Sequence, residues 1–97
     1  MKLTAFVEAT LREDEDYSSL SIDALAGRIQ RDWKNVNYAA KPYLDAMYSL
    51  TDIKDAYYQD SGSSIVAYFL SNAKSWTGPV AKAVKAELNK RLKASYR

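Results

Sequence analysis

The densest run of apolar side chains is Ile65-Val66-Ala67-Tyr68-Phe69-Leu70. Six such residues in succession leave no polar side for water. Asn72, Ala73, Lys74 and Trp76 carry the run past the usual length of a strand, which predicts a helix over residues 63–76, buried on most sides. Ser63 or Ser64 is placed to cap it. A buried strand over residues 65–69 is the alternative, but no second comparable run exists to pair with it. Thr77-Gly78-Pro79 then breaks the chain, with Gly78 or Thr77 as cap and Pro79 at the first helical position. Beyond it Val80, Ala81, Val84, Leu88 and Leu92 recur at helical spacing. Residues 79–95 are therefore predicted as a two-faced helix, and the two segments together as a C-terminal helical hairpin.

The first 60 residues repeat the helical pattern in shorter pieces. Leu3, Phe6, Val7 and Leu11 predict an amphipathic helix over residues 3–13. It should end at Glu13-Asp14-Glu15-Asp16, where four carboxylates repel one another at the unfavourable end of the helix dipole. Tyr17-Ser18-Ser19 reads as a loop, and Ser21 as the cap of the next helix. In that helix Ile22, Leu25, Ala26, Ile29 and Trp33 fall on one face, with Arg28, Arg31 and Lys34 opposite. Asn35-Val36-Asn37 is a turn. Residues 38–50 predict a third helix with Leu44, Met47 and Leu50 inward; Pro42 either starts it near Lys41 or kinks it. Asp52 is placed to cap a short fourth segment over residues 53–58, which ends in Gln59-Asp60-Ser61-Gly62. The expected fold is all-α: one domain over residues 1–97, a compact bundle of five or six short helices.

Composition agrees with this and narrows the chemistry. Three Gly and two Pro in 97 residues suit helices better than a many-stranded sandwich. No run approaches the ~20 apolar residues of a membrane span, and the acidic residue in the first apolar patch is unlike a signal peptide. No membrane partner and a cytoplasmic location are therefore expected. The chain has no His and no Cys. Cys- and His-based nucleophile dyads, thiol redox chemistry and the usual zinc and haem ligand sets are excluded. The glycines at 27, 62 and 78 stand too far apart for a phosphate-binding loop. An EF-hand loop starting at Asp14 would need Gly at position 19 and Glu at position 25, where the chain has Ser19 and Leu25. No catalytic motif, no metal site, no cofactor and no small-molecule substrate are expected.

Two features point to binding instead. Charge is uneven: residues 1–23 carry two cations against six carboxylates, a net −4, and residues 79–97 carry six cations against one carboxylate, a net +5. Such asymmetry guides partners or pairs the two ends. Aromatic residues are the second feature, because eight of the twelve lie between Tyr38 and Trp76. Met47 and Leu50 claim the inner face of their helix, which leaves Tyr43 and Tyr48 at its flanks. Tyr57 and Tyr58 cannot both point inward from one short helix. Tyr43, Tyr48, Tyr57 and Tyr58 are thus the candidate surface for a protein partner or a second copy of the chain. The alternative is nucleic acid on the outer side of the last helix, with Lys82, Lys85, Asn89, Lys90 and Lys93 as candidates. A helix-turn-helix over residues 22–44 fits poorly, since Gly27 falls within a helix and Pro42 would disrupt a recognition helix. The Thr77-Gly78 helix start, beside Lys74 and Trp76, offers free backbone donors to an anion but is explained as a cap.

Overall fold

A computed structural model describes residues 16–95. The helix expected over residues 3–13 lies outside them. Asp16 opens the described chain by accepting from the Ser18 N–H, which caps a 3-10 turn at Tyr17–Ser19. The loop expected there is therefore a turn, and it buries Tyr17. Arg91 holds it in place: its guanidinium donates to the carbonyls of Tyr17 and Ser18 at 3.0 and 3.2 Å, and to Glu87 at 2.7 Å.

Helix α1, Ile22–Asp32, forms where the periodicity places it, and its stripe Ile22, Leu25, Ala26 and Ile29 is buried. Trp33 ends it, also buried. Ser21 occupies the cap position, but its side chain makes no capping bond. The free N–H groups of Ile22 and Asp23 donate instead to the carbonyls of Thr51 and Leu50, each at 2.9 Å. A later segment of chain thus supplies the capping that Ser21 was expected to give.

Helix α2, Lys41–Met47, is shorter than the expected 38–50. Pro42 stands in its first turn, so proline starts the helix and does not kink it. Ahead of it, Asn37 receives the Ala39 N–H on its side chain and the Ala40 and Lys41 N–H groups on its carbonyl. Leu44, Met47 and Leu50 are all buried, as their spacing implies.

Residues 53–58 do not make the expected short helix. Asp52 does receive the Lys54 N–H, but the Asp55 carboxylate turns back onto the N–H groups of Thr51 and Asp52, both at 2.9 Å, and closes a turn. An antiparallel two-stranded hairpin follows, β1 Ala56–Tyr57 and β2 Asp60–Ser61, with Ala56 opposite Ser61 and Tyr57 opposite Asp60.

Helix α3, Gly62–Ser71, is capped by Ser61, two positions ahead of Ser63 and three ahead of Ser64, the caps expected. It ends five residues before Trp76, so the first arm of the hairpin is shorter than 63–76. Nor is it closed to water all round: Tyr68 is half exposed. Residues 72–78 turn the chain, carrying Ala73 and Trp76 into the core from outside any helix. Gly78 takes φ +109°, a conformation that favours glycine. Helix α4, Pro79–Ser95, then buries Ala81, Val84, Leu88 and Leu92.

The four helices close a ring in which α1 packs on α2, α2 on α3, α3 on α4 and α4 on α1. All-α describes this architecture apart from the small hairpin. Four α-helices and one 3-10 turn occur among the described residues. An aromatic cluster holds the centre. Trp33 stacks on Trp76 with centroids 5.8 Å apart, and Phe69 meets both edge-on. Each such pair adds about 0.5–1.5 kcal/mol beyond the area it buries. The one polar side-chain atom of Trp76, its indole nitrogen, donates to the Asp32 carboxylate at 2.8 Å.

Candidate functional site

The four candidate tyrosines are dispersed by the fold into three environments. Tyr43 leaves the flank of α2 toward α3, where its ring lies 5.3 Å from that of Tyr68. Tyr48 leaves the opposite flank. Its hydroxyl donates to Gln30 Oε1 at 2.9 Å, with the Ala26 carbonyl at 3.4 Å, so it fastens the end of α2 to α1. Tyr57 and Tyr58 belong to the hairpin, with ring centroids 4.7 Å apart and planes at 78°. Tyr57 is half-buried against the core.

Exposure separates them further. Among the described residues the exposed large hydrophobic side chains are Tyr38 (88%), Tyr58 (88%), Tyr68 (53%) and Tyr48 (43%). Tyr38 and Tyr68 were not among the sequence candidates. Tyr68 had a signal: Ser64, Tyr68 and Ser71 recur at helical spacing and mark one wet face through the apolar run. Tyr38 had none: it is expected to open the helix over residues 38–50, and the structure makes residues 38–40 a turn instead.

Tyr58 stands apart from the others. It is the first of the two loop residues of the hairpin and takes φ +57°. That position of a two-residue turn ordinarily carries Gly, Asn or Asp. A tyrosine there strains the backbone, and its ring is almost wholly in water.

The basic candidates divide as well. Lys82, Lys90 and Lys93 are exposed along α4 with Asn89 among them. Lys85 is withdrawn from that set. Its ammonium donates to the Trp76 carbonyl at 2.6 Å and lies 5.8 Å from the Trp76 ring centroid, which ties α4 to the turn before it. Asn89, exposed, donates its side-chain amide to the Lys85 carbonyl one turn back.

Carboxylate chemistry is modest. Asp16 sits below the ordinary aspartate range because the Ser18 hydroxyl and then the Ser18 N–H donate to it, with Lys90 adding a favourable charge. Asp55 is lowered by the N–H groups of Asp52 and Thr51. Both groups act as local turn-formers. An open cleft between the 3-10 turn, residues 51–54 and the end of α4 is lined by Ser18, Ser19, Thr51, Asp52, Lys54 and Arg91. Its Arg91 is already engaged by Glu87 and two carbonyls. Among the described residues no three His, Cys, Asp or Glu side chains are grouped to hold a metal. Nor is any helix among them long and apolar enough to cross a membrane.

No family model matches the chain, and no curated protein or solved structure is detectably similar to it.

Proposed function

We propose that this protein is a binding module, without catalytic activity, that takes a protein partner or a second copy of itself through exposed tyrosines. The observation that carries this reading is Tyr58, a large ring at 88% exposure on a backbone of φ +57°. Glycine would fill that turn with less strain, and the ring buries too little surface to repay the difference. Strain kept without a packing gain is characteristic of sites that act on something outside the fold. Tyr68 and Tyr38 add exposed aromatic surface without such strain, and tyrosine offers contact area through an apolar body with a polar tip.

Capture of partners by the tagged chain, together with light scattering, tests the reading. Tyr58→Gly and Tyr68→Ser should retain the fold and lose the partner or the oligomer. A chain that is strictly monomeric, and whose captured partners are the same in both variants, would refute it.

Nucleic acid on α4 is the second reading. What favours it is that Lys82, Lys90 and Lys93 are exposed within about a quarter of the helix circumference. The only carboxylate of that helix, Glu87, is turned to Arg91. Three phosphate contacts predict a slope of log K against log salt near −2.7 for duplex DNA. Charge reversal at Lys82 and Lys93 should flatten that slope, whereas Lys85→Gln should affect folding more than binding. The absence of a gel shift at low salt would remove this reading.

A further inference from the structure

The register of the hairpin gathers three side chains with complementary chemistry. Tyr57 and Asp60 are directly opposite across the two-residue loop, so their side chains leave the same face. Tyr58 follows Tyr57, and the two rings meet nearly at right angles. The result is an aromatic corner with a carboxylate beside it. Its base is firm, because Tyr57 packs on the core while Tyr58 projects into water.

Charge around the corner is negative and only partly used. Residues 52–60 contain Asp52, Asp55 and Asp60 against the single cation Lys54. Asp52 and Asp55 already accept backbone N–H groups within their turn. Asp60 is exposed, and among the described residues no cation pairs with it. Ring faces attract cations through their quadrupole, and more strongly with a carboxylate alongside. A guanidinium fits this combination better than an ammonium. It is planar enough to stack on one ring while its donors fork onto the carboxylate.

Building on the protein-binding reading above, we propose that the corner formed by Tyr57, Tyr58 and Asp60 receives an arginine side chain of the partner. Gly62 supports it from below. Its N–H donates to the Asp55 carbonyl at 2.6 Å, which fixes the start of α3 to the residue just before the strand that carries Tyr57.

The test is a nuclear magnetic resonance titration of the whole chain, carbon-labelled in its tyrosine rings, with the blocked peptide acetyl-Gly-Arg-Arg-Gly-amide. Peptides with lysine or citrulline in place of arginine run in parallel; citrulline keeps the shape of arginine and removes its charge. Arginine should shift the ring signals of Tyr57 and Tyr58, lysine should bind roughly fivefold more weakly, and citrulline should leave the signals unmoved. Asp60→Asn should weaken the arginine response roughly fivefold, and added salt should weaken it too. Equal responses to arginine and citrulline, or no response at either ring, would overturn the proposal. So would ring shifts that grow with protein concentration alone, because a second copy would then fill the corner. If Tyr58→Gly abolishes partner capture while the arginine peptide leaves the rings silent, only the arginine assignment fails. If the chain is strictly monomeric and capture survives both Tyr58→Gly and Tyr68→Ser, the broader binding reading fails.

Discussion

Glycine to alanine at two positions should shift stability in opposite directions, although both glycines lie in helices. Gly62 opens α3 against the turn that precedes the hairpin. A Cβ there would stand 2.7 Å from the Ile53 carbonyl oxygen and 2.9 Å from that of Asp55. Side-chain carbons in proteins do not approach oxygen so closely, and both oxygens belong to backbone with little room to move. The Asp55 carbonyl is also the acceptor for the Gly62 N–H, so yielding to the new methyl loosens a bond that joins hairpin and helix. Overpacking of this kind costs about 1–3 kcal/mol. The helix propensity of alanine over glycine returns at most about 1 kcal/mol, and less at a first helical position. The clash therefore wins, and Gly62→Ala is expected to lose about 1–2 kcal/mol. Gly27 lies inside α1 with nothing within 4 Å of its would-be Cβ, and Gly27→Ala should gain about 0.5–1 kcal/mol. Urea denaturation of the full chain, followed by far-ultraviolet circular dichroism, reads both. With the slope unchanged, the midpoint should fall for the first variant and rise for the second. A Gly62→Ala midpoint equal to or above that of the parent would refute the packing argument.

Other expectations follow from the same contacts. Phe69→Ala removes the ring that meets both tryptophans and should cost about 3–5 kcal/mol; Leu70→Ala, at a half-buried site, should cost no more than about 2 kcal/mol. Equal costs in urea would contradict the placement of α3. Asp55 is lowered in the folded state, so its contribution is complete above the unfolded aspartate value near pH 4 and is lost as pH falls through the lower folded value. The difference in melting temperature between parent and Asp55→Asn should therefore close as pH drops below about 4; a difference that persists at pH 2 would show the effect is not ionic. Tyr58→Gly should hold stability or raise it by up to about 1 kcal/mol. A clear loss would mean that the ring supports the fold.

The periodic segments were legible without coordinates because burial imposes a period. The stripe of α1, the inward trio Leu44, Met47 and Leu50, and Ala81, Val84, Leu88 and Leu92 of α4 occupy the buried positions their spacing assigns, while Val80 of the same face is only half-buried. Structure departs from local pattern where a competing partner takes the backbone groups. Ser21 has the right chemistry to cap, yet the N–H groups of Ile22 and Asp23 are taken by carbonyls nearly thirty residues away. Residues 53–58 have a cap and enough length for a helical turn, but the Asp55 carboxylate and the Gly62 N–H draw that backbone into a hairpin. The tyrosines show the same limit. Composition announced an aromatic surface, but nothing in linear order says that Tyr48 is held by Gln30 or that Tyr43 finds Tyr68.

Linear order suffices for a helical chain with a dense apolar run at residues 65–70, an acidic start, a basic last helix and no histidine or thiol chemistry. These are properties of composition and period, which every residue carries with it. Which polar and aromatic groups remain free to act depends on the packing of the folded chain. It engaged Lys85 with Trp76 and Tyr48 with α1, and it left Tyr58 and Asp60 projecting from a strained turn. The reason is physical: a side chain's availability is what remains after its neighbours have satisfied it, and those neighbours are chosen by the fold.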